Sequence, residues 1–291
     1  MNKLVIFGVG LIGGSVALAL KKASFVTHIV GVGRNYSMLE KALELGVIDS
    51  LSDASDANIH KACSGADMIL IAVPVAQTKA ILISIKPHLQ AQTLITDAGS
   101  TKGDVLEIAR EILGEQFQQF VGGHPIAGAE KSGVSAAKAD LFLGKNVVLT
   151  PSPAANNDAV LAITAMWQAC GANVTEMSAD NHDAIFAAVS HLPHLLAFAL
   201  VDDIASRPNA EQLFSFAASG FRDFTRIAGS HPEMWRDISL ANKSALLSEI
   251  TAFESELSQL KQLLINENST GLQSLFERAS MARNNWAESK K

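Results

Sequence analysis

Cysteine is almost absent from this sequence of 291 residues, which contains only Cys63 and Cys170. The two are too far apart to give the short spacing of a metal-binding or redox-active pair. We therefore interpret both as buried small hydrophobic residues of a protein in a reducing compartment. Charged residues are also scarce, at 18% of the chain against 48% hydrophobic residues. This composition supports a large core and argues against disorder.

An excess of basic residues is missing as well, because the formal net charge is −6. A negative total argues against a surface that binds nucleic acid. The apolar run up to Leu20 resembles a signal peptide, with residues 17–19 as a nominal cleavage site, but glycines interrupt it and Lys21-Lys22 follow. No other stretch is expected to span a membrane. The sequence thus predicts a cytoplasmic protein without nucleic-acid or membrane partners.

The first glycines of the chain form the motif Gly8-x-Gly10-x-x-Gly13, between a predicted strand (residues 4–7) and a predicted helix (residues 11–22). In nucleotide-binding folds the first glycine permits a tight turn, the second lets the backbone approach a pyrophosphate, and the third lets the helix pack on the strand. The N-terminus of the helix then presents a partial positive charge to the phosphates. The motif predicts a dinucleotide site; the alternative is a strand–helix turn without a ligand.

The end of the second predicted strand, residues 28–32, bears on the choice of cofactor. Sheets that bind NAD usually carry Asp or Glu here to hold the ribose hydroxyls, but this chain has Gly33 followed by Arg34. Because guanidinium binds phosphate well, this pair favours NADP, with NAD as a possible second cofactor. The alternative is that Arg34 is only a solvated surface residue. The residues predicted to bind the cofactor are Gly8, Gly10, Leu11, Ile12, Gly13, Arg34, Val73 and Gly99.

Strand and helix patterns alternate over the first part of the chain, and apolar runs such as residues 68–73 are typical of buried parallel strands. The alternation predicts an α/β dinucleotide-binding domain over residues 1–177, with a doubly wound, Rossmann-like parallel sheet. Beyond it only helical patterns remain. Residues 178–291 are therefore predicted to form an all-α substrate-binding domain, whose apolar stripes favour a homodimer.

A glycine-rich segment from Gly122 to Gly133 contains a single histidine, His124, and follows a strand predicted at residues 117–121. Glycine lets the backbone approach a small substrate closely. Loops that follow the strands of a doubly wound sheet lie at one rim, where ligands bind. His124 is therefore a candidate for proton transfer beside the cofactor, although His-Pro after glycines is by itself more often a turn.

The helical half adds further candidates. His191 and His194 are three residues apart and share a helix face. His-x-x-His without a nearby ligating acid or cysteine is weak evidence for a metal, so the sequence predicts no metal site and favours buried, hydrogen-bonded histidines. Arg222 and Arg226 are four residues apart in an otherwise apolar region. Arginine suits bidentate recognition of a carboxylate, and the alternative is a surface pair with a neighbouring aspartate. Trp235 is either a core residue or the wall of a pocket.

Together, these residues resemble the prephenate/arogenate dehydrogenases of tyrosine biosynthesis, over residues 1 to about 242. The glycine motif is shared by many dehydrogenases, whereas the stretches around His124 and Arg226 are more specific to this family. The resemblance implies a monofunctional enzyme, since no chorismate mutase segment precedes Met1. The matching stretches are Gly8-x-Gly10-x-x-Gly13-Gly14-Ser15, Asp97-Ala98-Gly99-Ser100-Thr101-Lys102, Gly123-His124-Pro125-Ile126-Ala127-Gly128, Ser190-His191-Leu192-Pro193-His194 and Gly220-Phe221-Arg222-Asp223-Phe224-Thr225-Arg226-Ile227-Ala228.

The resemblance also implies the chemistry. Prephenate carries a ring hydroxyl on the carbon that loses hydride, and a ring carboxylate that leaves as carbon dioxide. By resemblance, His124 is the catalytic histidine, and Ser100 bridges the histidine, the hydroxyl and the nicotinamide. The substrate-binding residues implied are His194, Arg226, Arg222, Trp235 and Glu130. Members of the family often have Lys where Arg222 stands; both side chains are cationic, but their hydrogen-bonding geometry differs.

Two alternatives remain at this stage. One is another two-domain NAD(P)-dependent dehydrogenase, of the β-hydroxyacid or pyrroline-carboxylate type. Such enzymes usually rely on a lysine in the helical half, where the first candidate is Lys243. The other is a nucleotide-sensing protein without catalysis, which would need neither His124 nor Ser100. The sequence does not separate prephenate from arogenate.

Overall fold

The structure, a computed structural model, describes residues 1–129 and 131–289. One mixed sheet is built from eight strands within these residues. The strands are β1 (Lys3–Phe7), β2 (His28–Gly33), β3 (Ser50–Asp53), β4 (Met68–Ile71), β5 (Leu94–Asp97), β6 (Phe120–Pro125), β7 (Asn146–Pro151) and β8 (Asn173–Glu176). Their order in the sheet is β3-β2-β1-β4-β5-β6-β7-β8.

The predicted fold class is confirmed, with one correction to the sheet. All neighbouring strands run parallel except β6 and β7, which pair antiparallel. Parallel neighbours need a crossover connection, usually a helix. The described part of the connection between residues 126 and 145 contains only a short 3-10 turn, Val134–Ala136, so the chain returns along β6 in the opposite direction.

The core lies on both faces of the sheet because side chains alternate along each strand. Leu4 and Ile6 of β1 pack into one cluster of buried residues that includes Trp167. Val5 and Phe7 point to the other face and join a second cluster. These four side chains are at most 1% exposed. Burial on both faces is why the strand reads as a continuous apolar run.

Helices cover the sheet and then continue alone to the end of the chain. The helices of the described residues are α1 (Leu11–Lys22), α2 (Tyr36–Glu44), α3 (Asp56–Cys63), α4 (Thr78–Ile85), α5 (Gly103–Leu113), α6 (Asn157–Ala169), α7 (Ala179–Phe186), α8 (Leu192–Ala205), α9 (Ala210–Ser215), α10 (Ser219–Thr225), α11 (Pro232–Ala241), α12 (Lys243–Ile265) and α13 (Ser269–Glu288). The chain divides into two compact units, residues 1–243 and 244–291. The domain boundary predicted after residue 177 stays a prediction.

Helices α7 and α8 are joined by a π-helical turn, Ala187–His191, and form one continuous helix over Ala179–Ala205. Pro193 lies inside this helix, where a proline removes one backbone hydrogen bond and crowds the carbonyl group four residues earlier. The helix continues because residues 187–191, just before the proline, form the wider π-helical turn. The expectation that no further stretch could span a membrane needs correction. This helix is long and apolar enough by length and composition, with a mean hydropathy of 1.9. Both criteria are also met by core helices of soluble proteins.

Candidate active site

The glycine motif lies between β1 and α1 and leaves room for a ligand. Gly8 has a φ of 92°, a left-handed conformation that favours glycine. A Cβ at Gly13 would lie 2.2 Å from the Gly8 carbonyl oxygen, so helix and turn pack closely there. A Cβ at Gly10, in contrast, would meet nothing within 4 Å. Close packing at two glycines and open space at the third are the conditions for a bound pyrophosphate.

The N-terminus of α1 supports the same interpretation. Gly10 precedes the helix and provides no capping side chain, and no acidic residue lies in the first turn. The backbone N–H groups of Leu11 and Ile12 therefore have no partner within the helix, as at any helix N-terminus. Together with the helix dipole they suit a phosphate anion. The residues of this turn thus fit a dinucleotide.

The end of β2 has the shape that the sequence predicts. The strand ends at Gly33, and the exposed Arg34 follows it. Asp53 lies opposite Gly33 in the register of β2 and β3. Its carboxylate is bonded to residues that follow it in the chain, since it accepts hydrogen bonds from Ser55 N and Asn58 Nδ2 at 2.9 and 3.0 Å. The side chain of Ser55, the side chain of Asn58 and Ser55 N together lower the pKa of Asp53 to about 2. In the part of the chain that the structure describes, no carboxylate oxygen lies within 4 Å of the Arg34 guanidinium.

A buried ion pair lies under the loop that carries Ser100. Lys102 and Asp97 are 0% and 1% exposed, and the ammonium of Lys102 is in contact with the carboxylate of Asp97. The same ammonium donates to the carbonyl oxygen of Gly123 at 2.9 Å. The Asp97 carboxylate accepts from Gly99 N at 2.8 Å and from Gly123 N at 3.0 Å. The pair therefore joins the Ser100 loop to the strand that carries the candidate histidine.

We expect Lys102→Met to lower the free energy of unfolding by about 3–5 kcal/mol, since it leaves the Asp97 carboxylate buried and unpaired. Urea denaturation followed by circular dichroism measures the change. The matched control is Lys145→Met at an exposed position, where we expect a change of at most about 0.5 kcal/mol. Equal stabilities of the two variants would contradict a role of the ion pair in stability.

His124 lies on a strand and not in a loop, which corrects the sequence analysis. Residues Gly114–Gln119 form a 3-10 helix, and β6 begins at Phe120 and includes His124. The strand continues through Gly122 and Gly123 because both pair with β7. A Cβ at Gly123 would lie 2.7 Å from the Asp97 carbonyl oxygen, so here glycine permits close packing between strands.

The imidazole of His124 belongs to a hydrogen-bonded chain. Its Nδ1 lies 2.8 Å from Nε2 of His182, and Nδ1 of His182 lies 2.7 Å from Oδ1 of Asp183. Phe186 packs against both rings, with centroid distances of 4.8 Å to His124 and 4.5 Å to His182. Burial, and after it the neighbouring His182, Lys102 and His191, hold the pKa of His124 well below its ordinary value. The ring is therefore neutral at pH 7 and can accept a proton.

Asp183 connects this chain to the Ser100 loop. Its two carboxylate oxygens accept from Lys102 N at 2.9 Å and Gly103 N at 2.8 Å, which caps the N-terminus of α5. Its carbonyl oxygen accepts from the side chain of Asn242 at 2.8 Å. The same amide nitrogen lies 3.1 Å from Nδ1 of His191, whose pKa burial lowers to about 4. One aspartate thus fixes positions on the sheet rim, on α7 and, through Asn242, beside His191.

A second group of predicted residues meets on α8 and α11. The rings of His194 and Trp235 are stacked at a centroid distance of 3.6 Å. Nδ1 of His194 donates to the Ser190 carbonyl oxygen at 2.8 Å. Burial lowers the pKa of His194, the bond to Ser190 partly opposes this, and the charge of Arg226 lowers it further. The 3-10 helix Arg226–Gly229 packs against α8. Trp235 also packs on Val75, which follows β4, so this group adjoins the rim of the sheet.

The remaining predicted residues do not join this arrangement. Arg222 lies on an exposed face of α10, with its Nε 3.9 Å from Asp223, as in the surface pairing that the sequence left open. Glu130 lies outside the described residues. Val73 follows β4, and its Cγ1 would lie 3.0 Å from a Cβ at Gly8, so it borders the glycine turn. Metal binding by His191 and His194 finds no support, since the described residues contain no cluster of three or more ligating side chains.

Sequence reasoning missed His182 and Asp183. It named Asp97 and Lys102 within a matching stretch but assigned no role to either. A signal was available for the first two. His182 and Asp183 are adjacent polar residues at the start of an apolar helix. Phe186 follows His182 by four residues and His191 follows Asp183 by eight, so each pair lies about a whole number of helical turns apart. A polar pair on the inward face of such a helix must be hydrogen-bonded.

Two family models match the chain. The model described as "Prephenate dehydrogenase, nucleotide-binding domain" matches residues 16–176. The model described as "Prephenate dehydrogenase, dimerization domain" matches residues 178–278. The first match includes Ser100 and His124, and the second includes His182, His194 and Arg226. The glycine motif lies before the matched residues.

Individual proteins show the same similarity. A prephenate dehydrogenase of Bacillus subtilis is 38% identical over 280 residues, which is 96% of this chain and 74% of the relative. The crystal structure of a prephenate dehydrogenase from Aquifex aeolicus, in complex with hydroxyphenyl propionate and NAD+, is 38% identical, with a TM-score of 0.91 and 97% of each chain covered. A Synechocystis arogenate dehydrogenase structure is 28% identical, with a TM-score of 0.83, and covers 98% of this chain and 99% of its own.

Proposed function

Since the chain belongs to the prephenate/arogenate dehydrogenase family of oxidoreductases, we propose that it oxidises and decarboxylates prephenate, arogenate or both in tyrosine biosynthesis. The products would be 4-hydroxyphenylpyruvate from prephenate and tyrosine from arogenate. A nicotinamide dinucleotide held at the glycine turn supplies the acceptor for the hydride. The observation that carries the proposal is the neutral, hydrogen-bonded imidazole of His124 at the rim of the nucleotide-binding sheet.

His124 acts as the general base in this proposal. The hydroxyl proton passes to the imidazole while the carbon that bears the hydroxyl loses hydride, so that a carbonyl forms. A neutral ring is required, and burial maintains it by lowering the pKa. Ser100 lies in the loop that Asp97 and Asp183 hold at its two ends, one through Gly99 N and the other through Lys102 N. The loop is thereby fixed for a hydrogen bond from Ser100 to the substrate hydroxyl.

The group on α8 and α11 binds the substrate in this proposal. Prephenate has two carboxylates, and the exposed guanidinium of Arg226 provides a bidentate partner for one of them. With Nδ1 of His194 bonded to the Ser190 carbonyl oxygen, Nε2 is left for the ligand. Trp235 forms the apolar wall, and its Nε1 is buried with no hydrogen-bond partner in the described residues. Loss of carbon dioxide then yields an aromatic ring, which makes the reaction effectively irreversible.

A steady-state matrix of two substrates and two cofactors tests the proposal. Purified protein is given prephenate or arogenate together with NAD or NADP, and absorbance of the reduced nicotinamide is followed. Turnover in at least one combination is expected, and no turnover in any of them would refute the proposed reaction. The alternative with a catalytic lysine in the helical half finds no support, because Lys243 is exposed.

The cofactor preference is the next part of the proposal. We expect Arg34→Ala to raise the KM for NADP by roughly 10-fold or more and to leave the KM for NAD nearly unchanged, since only NADP has a phosphate on the adenosine ribose. The matched control is Arg207→Ala, which removes another exposed arginine. Equal effects of Arg34→Ala on both cofactors would refute a role in phosphate binding.

We also propose that the protein is a cytoplasmic homodimer. Apolar side chains are exposed in each of the two compact units, for example Val189 and Leu240 at 67% in the first and Met281 at 65% in the second. Exposed apolar residues in this number are typical of surfaces that a second subunit covers. Sedimentation equilibrium tests the state: a mass of one chain at micromolar concentration would contradict it.

A further inference from the structure

We propose that His182 and Asp183 are positioning residues that hold His124 in the tautomer with an unprotonated Nε2, so that this nitrogen accepts the substrate proton. The role of Nε2 of His124 as the acceptor of the substrate proton rests on the proposed function. The tautomer itself is a property of the free protein and can be measured without a substrate.

The argument begins at Asp183, which can only accept hydrogen bonds when it is ionised. Burial alone would raise the pKa of its carboxyl group. Hydrogen bonds from His182, Gly103 N and Lys102 N outweigh burial and lower the pKa below its ordinary value. The carboxylate is therefore charged at pH 7, and Nδ1 of His182, at 2.7 Å from Oδ1, must carry the proton between them.

The next link is His182. Its ring is 0% exposed, and burial lowers its pKa more than the bond to Asp183 raises it. The ring is therefore neutral at pH 7 and has one proton, which is on Nδ1. Its Nε2 is an acceptor, and the group 2.8 Å away is Nδ1 of His124. Nδ1 of His124 must therefore donate, and because His124 is also neutral, its Nε2 has no proton.

The surroundings of the two rings keep this arrangement in place. Phe186 packs on both rings and opposes their rotation. The other titratable or charged groups that act on His124 are Lys102 and His191, and both disfavour its protonated form. A reversed chain would need a proton on the Asp183 carboxylate. The two N–H groups at the start of α5 oppose such protonation, because they hydrogen-bond to the charged form.

The same chain provides a path for the proton. The substrate O–H bond breaks and an N–H bond forms at Nε2 of His124, while the electron pair on oxygen becomes part of the new carbonyl. The carbon releases hydride to the dinucleotide. The proton on Nδ1 of His124 can then move to Nε2 of His182, which becomes an imidazolium in contact with the Asp183 carboxylate. Asp183 thereby stabilises the charge without being protonated, as the aspartate of a serine-protease triad does.

Two variants of one residue test the positioning role. In His182→Gln, the amide oxygen occupies the place of Nε2 and can still accept from His124. In His182→Asn, the shorter amide reaches Asp183 but not His124. Both introduce a buried neutral amide, so they are matched in charge and polarity. We expect kcat to fall by at most about 10-fold in His182→Gln and by about 100-fold or more in His182→Asn, with little change in KM. Equal values of kcat would overturn the proposal.

Nuclear magnetic resonance decides the tautomer independently of activity. The wild-type protein is labelled with ¹⁵N at histidine, and His124→Asn and His182→Gln assign the two rings. We expect the proton of His124 on Nδ1 and none on Nε2. A proton on Nε2 would overturn the proposal, even in an active enzyme. Absence of turnover with prephenate and arogenate would instead refute the proposed function and leave this result standing.

Discussion

Replacing His124 with Asn is expected to lower kcat by about 10²–10⁴-fold, the usual contribution of a positioned general base. Asparagine has no group that can take the hydroxyl proton at neutral pH. The glycine turn and the N-terminus of α1 are unchanged, so binding of the dinucleotide should stay near normal. Steady-state kinetics gives kcat, and titration calorimetry with the dinucleotide gives its dissociation constant.

The control for this experiment is His28→Asn. His28 is exposed and lies at the first residue of β2, the opposite end of that strand from the cofactor rim. It should leave both quantities unchanged. Near-normal turnover of His124→Asn would remove His124 from the chemistry, whereas a parallel loss of dinucleotide binding would indicate a structural role for the ring.

The features that were predicted well from the sequence depend on contacts between residues that are close together in the chain. The glycine turn is one: strand, turn and helix follow each other within twenty residues, and Gly8 and Gly13 each have a local steric reason. The alternation of strands and helices is another, because burial on both faces gives continuous apolar runs. The stretch around His124 was identified by its resemblance to a family rather than by its conformation.

The features that sequence analysis missed depend on contacts between residues that are far apart in the chain and that only the fold brings together. Gly122 and Gly123 suggested a loop, because glycine is frequent there. In the structure they are strand residues, and a Cβ at Gly122 would lie 2.6 Å from the hydroxyl of Thr150. His182 meets His124 across 58 positions of the chain. No local sequence pattern records such a pairing. The sequence can therefore predict a site residue more easily than the residues that contact it in the fold.

Two carboxylates at the site, those of Asp97 and Asp183, position the predicted residues. Asp97 and Asp183 each hold one end of the Ser100 loop through backbone N–H groups. Asp97 also accepts from Gly123 N, next to His124, and Asp183 accepts from the His182 ring that contacts His124. Ser100 and His124 are thus positioned by a shared pair of acids. A change in either acid should therefore affect both residues together.

Replacing Arg226 with Ala is expected to raise the KM for the substrate by about 10- to 100-fold. This range corresponds to the roughly 1.5–3 kcal/mol typical of a hydrogen bond to a charged group. Its effect on kcat should be smaller, because the carboxylate that it binds is present in both the substrate and the transition state. Arg226→Lys should recover only part of the loss, since an ammonium group lacks the planar fork that binds a carboxylate at two points. Initial rates over a range of substrate concentrations separate the two constants.

Arg207→Ala provides the control in the same helical region, because Arg207 is exposed and pairs with Asp203 at the surface. Its KM should equal that of the wild type. Arg222→Ala distinguishes the two arginines of the motif: with its guanidinium 3.9 Å from Asp223 and 80% exposed, Arg222 should contribute much less than Arg226. An unchanged KM in Arg226→Ala, together with a raised KM in Arg222→Ala, would move the carboxylate site to Arg222.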